Sequence, residues 1–373
     1  MKIISVLAIP VAIPVKRVGY FSRARRTVAM RTIVLIECDN GVVGFGETRG
    51  TVAAEIIRDR FADALTGQTV TDAASLRSLC LPYRADYGYP DQLMDQNAYA
   101  ALEMSILDCI GKDVGLPLYA LLGGKCRTTA SFVAYEYTVD PTEGVKPADV
   151  PERMSAKMAA AVASTGSNFV EFKVGVYPVA TDIETVAAVR DRLGPHVSIG
   201  VDANMAWDFD TADRFIAATR AYGLSNIEEP VSNLAGMNRL AERHGVNVSS
   251  HATSPELLQH YPAIDGAVGE PHAEGSLMGC RDLSERLAAI GKRYWFRSVW
   301  EAGFSWAAMC HMSVAFPSLT RPMQSLFNHL GDDLIEETDF AMTNSAVEVP
   351  TRPGLGVTLD MAAIEKYRMD KSS

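Results

Sequence analysis

No basic run reaches five residues in this 373-residue sequence, and the formal net charge is −10. That balance argues against nucleic acid as a partner, and the Arg23-Ala-Arg-Arg26 cluster is too short to hold a polyanion alone. No apolar stretch approaches the ~20 residues that cross a bilayer. The opening Met1–Val6 lacks the long apolar core of a signal peptide, so no membrane partner is expected. The six cysteines (Cys38, Cys80, Cys109, Cys126, Cys280 and Cys310) include no close pair of the metal-binding kind. They read as reduced, mostly buried small residues of a cytoplasmic protein.

What is present is an ordinary globular balance, 48% hydrophobic and 21% charged, long enough for a barrel with a smaller partner domain. The first ~50 residues alternate like a meander. Thr32–Glu37 reads as a strand, Asp39-Asn40-Gly41 as a hairpin turn, and Val42–Glu47 as the strand that follows. Between about 52 and 125 the apolar period turns helical, most clearly in Tyr99–Ile110. From about 130 a short apolar strand followed by an amphipathic helix recurs. The candidate strands are 131–135, 168–173, 197–202, 225–228, 246–249, 266–269 and 294–296. Serial β/α units after an α+β segment predict a barrel carrying a small domain, with the chemistry at the carboxyl ends of the strands.

Those ends carry the chemistry-bearing residues. The second barrel strand ends in Lys173, the third in Asp202-Ala-Asn204, the fourth in Glu228-Glu-Pro230 and the fifth in Ser249-Ser-His251. Asp202 and Glu228 lie one β/α unit apart, so the barrel brings them to one mouth. Carboxylates arranged in this way suit a hard divalent cation. A helix cap or a solvated charge is the bland reading of either one alone.

Gly115–Gly124, Val201-Asp-Ala-Asn204, Ile227-Glu-Glu-Pro230, Ser298–Gly303 followed by His311, and Pro353–Val357 running on to Asp360 together resemble the enolase superfamily. The likeness is to its mandelate racemase and muconate lactonizing enzyme family, and Glu270-Pro-His272 leans it towards the glucarate dehydratase-like branch. The resemblance implies an α/β fold: a modified TIM barrel with an N-terminal α+β capping domain completed by the C-terminal segment. It places residues 1–127 in the cap, 128–335 in the barrel and 336–373 in the returning segment. It also implies Mg²⁺ as cofactor, a small carboxylate substrate, and a base that takes the alpha proton to give an enediolate. Lys173 matches the second lysine of the family's Lys-x-Lys motif, the base; Asp202 and Glu228 match metal ligands. A homo-oligomer is expected for such barrels.

Three departures stand out. Glu171 replaces the first lysine of the motif. His251 falls at the third metal position, where imidazole suits Mn²⁺ or another divalent metal better than Mg²⁺; capping or substrate contact is the alternative. Arg297 replaces the seventh-strand histidine and Glu270 holds the strand-six position, so an ion pair is expected there. Arginine is a poor acid or base, which disfavours a two-base racemase and favours a one-base dehydratase. Epimerisation or cycloisomerisation is the second reading, and a non-catalytic metal- or ligand-binding relative the third.

Substrate contacts are expected from Asn204, Tyr135, Glu136, Glu171, Glu301, Tyr20 and Arg49. If Glu136 and Glu171 face the substrate, a cationic group such as an amine is favoured, and a hydroxylated amino or imino acid such as a hydroxyproline stands beside a sugar acid; pairing of Glu171 with a nearby Lys or Arg is the alternative. Asn328-His329 lies near the expected end of an eighth strand. Trp295, Phe296 and Trp300 read as packing residues.

Overall fold

The computed structural model describes residues 1–81, 90–337 and 340–370. Three antiparallel strands open the chain: β1 (Ile3–Phe21), β2 (Ala24–Cys38) and β3 (Val43–Arg49). In β1, Ile9, Val11 and Ile13 are fully buried while Ala12 and Pro14 between and after them are more exposed, the period-2 pattern of a half-buried strand. The long helix α1 (Pro90–Val114) packs on this sheet. It comes so close that a Cβ on Gly46 would lie 2.0 Å from Ala101 O, and one on Gly44 would lie 2.2 Å from Ser105 O.

The barrel strands follow: β4 (Ala134–Glu136), β5 (Phe169–Lys173), β6 (Ser198–Asp202), β7 (Asn226–Glu228), β8 (Val248–Ser250), β9 (Gly266–Gly269) and β10 (Arg293–Phe296). Among the described residues they form one parallel sheet in chain order. The connecting helices carry their own start signals. Asp208, Asn233 and Ser276 accept from the backbone N–H of Thr211, Gly236 and Gly279 at the starts of α2 (Phe209–Thr219), α3 (Leu234–His244) and α4 (Leu277–Ala289).

The expected eighth strand is replaced by a shorter device. Met323 N donates to Ser131 O, Val133 N to Met323 O, and Gln324 N to Phe296 O, so two residues join the first barrel strand to the last. Asn328-His329 lies beyond this junction in a turn of 3₁₀ helix, Phe327–His329, and His329 Nε2 meets the carbonyl of Tyr135. Neither residue lines the central cavity.

Cap and barrel are joined through charge. Arg31 and Glu47, both fully buried, pair at 2.5 Å. Glu47 accepts from Ala302 N and Ser305 N at the start of α5 (Gly303–Ala315), a helix buried along its whole length. Arg31 reaches Val299 O and His272. The C-terminal stretch returns to the cap: Leu355 N donates to Asp108, and Met369 N to Pro10 O. His311, named above with the Ser298–Gly303 stretch, lies in α5 and ties Tyr119 N to Leu355 O. No helix among the described residues is long and apolar enough to cross a membrane.

Candidate functional site

A cavity of about 440 Å³ opens where the barrel strands end under the β1–β2 hairpin. The hairpin tip is fastened to the barrel, with Ser22 Oγ donating to Ala203 O (3.0 Å) and Arg23 Nε to Asn204 O (2.8 Å). Barrel-strand termini and the end of β3 bring Lys173, Asp202, Asn204, Glu228, His251, Arg297, Tyr135 and Arg49 into its lining. Non-glycine residues in the left-handed region, Asn204 (φ 47°), Glu229 (φ 48°) and Trp300 (φ 64°), cluster at these strand ends. Strain of this kind persists where surrounding structure enforces it, commonly at functional sites.

Lys173 bonds to Asp202, and its ammonium lies 5.3 Å from the Phe21 ring centroid and 5.5 Å from that of Tyr135. The rings and the carboxylate hold the amine in one place. Burial pushes the Asp202 carboxyl up, against the pull of Lys173. Asp202 Oδ1 also accepts from Asn204 N (2.8 Å). On the next strand Glu228 accepts from Gln324 Nε2 (2.7 Å) and from His251 Nε2 (2.9 Å).

His251, the expected third metal ligand, is held by two hydrogen bonds in this structure. Arg297 Nη1 lies 2.7 Å from His251 Nδ1. Guanidinium has no acceptor, so Nδ1 must accept and the ring proton sits on Nε2, which donates to Glu228. Both nitrogens have protein partners in this structure. Burial, then the Arg297 charge, lowers the imidazole to about 4, which keeps it neutral. Among the described residues no three His, Cys, Asp or Glu side chains group as a metal cage. The donors nevertheless fit a hard cation: two buried carboxylates on adjacent strands, with Asn204 Oδ1 beside them, buried and without a hydrogen-bond partner. Mg²⁺ keeps several waters and needs few protein oxygens of this type.

Glu270 is fully buried, 2.9 Å from Arg49 and 3.4 Å from Arg297. It stands behind the cavity wall, whereas both arginines line it.

Four expected substrate contacts do not reach the cavity. Glu171 turns into the barrel interior, where Arg321 (3.1 Å) and Gln324 hold it; burial first, then Glu228, raises it to about 8. Glu136 pairs with Lys157 at 3.0 Å. Glu301 is spent locally, accepting from Ser298 Oγ, Ser325 Oγ and Leu326 N. Tyr20 stays outside the lining, although its neighbour Phe21 enters it. Trp300, taken for packing, lines the cavity and stacks on Tyr137 at 5.4 Å. Gln324, the bridge between Glu171 and Glu228, belongs to no motif, and Asn97 comes from the cap helix; neither carried a signal in the sequence.

Residues 5–123 match the mandelate racemase / muconate lactonizing enzyme N-terminal domain, and residues 153–363 match the enolase C-terminal domain-like family. Curated relatives include the "Probable glucarate dehydratase" of Streptomyces coelicolor, 28% identical over 88% of this chain and 82% of the relative. They also include muconate cycloisomerase 1-1 of Acinetobacter lwoffii, 26% identical over 92% and 91%. Among solved structures, an isomerase from Streptomyces coelicolor superposes with a TM-score of 0.85 at 26% identity, covering 98% of this chain and 96% of that one. An enolase from Thermobispora bispora complexed with magnesium and formate gives 0.85 at 26% identity, covering 98% and 92%.

Proposed function

The chain belongs to the mandelate racemase and muconate lactonizing enzyme family of the enolase superfamily, and from that premise we propose that this enzyme dehydrates a small hydroxylated carboxylate with Lys173 as its single base. One observation carries the reading. Lys173 enters the cavity at the end of β5, while the position of a second base holds Arg297, a permanent cation tied to His251 and Glu270.

Asp202 and Glu228 would hold a divalent cation, with Asn204 beside it, and when bound it supplies positive charge where negative charge builds on the substrate carboxylate. The protein's own part is positional. Phe21 and Tyr135 flank the Lys173 amine and Asp202 anchors it, so the proton it takes stays at Nζ. The same ammonium can return that proton to a hydroxyl leaving from the same face. With Glu136 and Glu171 paired elsewhere, support for an amine-bearing substrate is withdrawn and a sugar acid is favoured.

The test is incubation with a set of hydroxy acids and Mg²⁺, read by a carbonyl reagent. Keto acid is expected from at least one acid. The likeness to a muconate cycloisomerase supports the second reading, isomerisation without loss of water. Conversion that yields no carbonyl would favour it.

A further inference from the structure

We propose that Gln324 is a positioning residue for the metal site: a chain from Arg321 through Glu171 fixes the direction of its amide, and the amide fixes the carboxylate of Glu228. The inference rests on the reading above, in which Asp202 and Glu228 hold a divalent cation.

The barrel interior is layered, because alternate residues of each strand point inward. Lys173, Asp202 and Glu228 stand side by side at the ends of β5, β6 and β7, and one layer deeper stand Glu171, Gly200 and Asn226. Glycine at 200 leaves room for a deep carboxylate, since a Cβ there would lie 2.8 Å from Glu171 Oε2. Gln324 comes from the closing segment, its backbone N donating to Phe296 O at 2.9 Å, and its side chain spans the two layers. Nε2 donates to Glu171 in the lower layer and to Glu228 Oε2 (2.7 Å) in the upper one. Both amide hydrogens are used.

Charge sets that orientation. Turned over, the amide would set its Oε1 against the Glu228 carboxylate. The lower partner is fixed in turn: Arg321 Nη2 donates to Glu171 Oε2 at 3.1 Å. The guanidinium carbon lies 4.7 Å from the Phe169 ring centroid and 4.1 Å from that of Trp295. Both partners of Glu171 are donors, so these bonds are those of its ionised form, which Arg321 favours against burial. A buried ion pair contributes little net stability, so its place directly beneath the site is accounted for by what it orients. In the upper layer Glu228 receives His251 Nε2 on Oε1 and Gln324 Nε2 on Oε2. Two donors from different segments thus set the plane of the carboxylate, and each oxygen keeps a lone pair for a cation.

Mn²⁺ binding without substrate tests this, read from the electron paramagnetic resonance signal of the free ion. The proteins compared are the parent, Gln324→Met, Glu171→Gln and the double variant, each checked as folded by thermal denaturation without metal. Gln324→Met keeps the length and removes the donors, and its Kd is expected to rise about tenfold or more. Glu171→Gln leaves the cavity lining untouched. With its oxygen turned to Arg321, the new amide presents N–H to Gln324, which must then turn its own oxygen towards Glu228; weaker Mn²⁺ binding is expected. In the Gln324→Met background the same change should have almost no further effect, because the chain is already cut. An unchanged Kd in Gln324→Met overturns the proposal. So does an effect of Glu171→Gln that is equally large in both backgrounds, which would mark the loss of a distant charge. If Gln324→Met does not fold, Glu171→Gln decides alone: a raised Kd supports the proposal and an unchanged one overturns it. A parent that binds no Mn²⁺ removes the metal assignment and this inference together, whereas binding that the variants do not weaken removes this inference alone. Keto-acid formation is read separately, so the dehydratase reading stands or falls on its own test.

Discussion

Arg297 has only donors to offer, and that decides what its neighbour His251 can do. With Nδ1 accepting from Arg297 and Nε2 donating to Glu228, the ring orients a carboxylate, and we propose that it does so in place of ligating a metal. Protein loaded with Mn²⁺ is accordingly expected to show no imidazole nitrogen coupling in pulsed electron paramagnetic resonance. A histidine nitrogen coupling that disappears in His251→Ala would reverse the assignment. Lys173, Asp202 and Glu228 were legible in the sequence because each ends a strand at regular spacing, and barrel geometry converts that position into convergence; Arg297 was legible only through the family resemblance. For Glu171 the alternative of an ion pair holds, but which cation it and Glu136 would meet was not legible. Their side chains are captured by Arg321 and Lys157, and Arg321 is a partner from far along the chain whose approach no local pattern encodes.

At the scale of elements, all seven barrel strands lie within a few residues of where their apolar runs placed them. Helix caps such as Asp208 and Asn233 agree with the local sequence. The barrel's closure was hidden because Met323 and Gln324 complete it with three backbone hydrogen bonds and no periodic run. The approach of α1 to β3 was also hidden, since glycine marks permission and not contact. Gly46 faces the Ala101 carbonyl, so Gly46→Ala must push the helix away from the sheet. Destabilisation of about 1–3 kcal/mol is expected, seen as a lower urea midpoint. An unchanged midpoint would mean that helix and sheet yield freely.

For the molecule as a whole, cap, barrel and C-terminal segment meet around buried polar groups, and His311 is one pH-sensitive joint among them. Burial lowers its imidazole from 6.5 to about 4, and the neutral ring serves Tyr119 N and Leu355 O together. The unfolded chain binds the proton first as pH falls, so this contribution is complete above pH 6.5 and is lost as pH falls towards 4. Its size is on the order of 3 kcal/mol across that window. Thermal midpoints of the parent should therefore fall more steeply with acid than those of His311→Gln; parallel curves would show that His311 does not titrate in this way.

The account depends most on Lys173 being the one group that moves the alpha proton. The direct measurement is loss of the alpha-proton NMR signal of a turned-over acid in D₂O with Mg²⁺, comparing the parent enzyme with Lys173→Ala. The variant is expected to slow exchange by roughly 10³-fold or more, the scale of a lost general base. Exchange retained at the parent rate would contradict it.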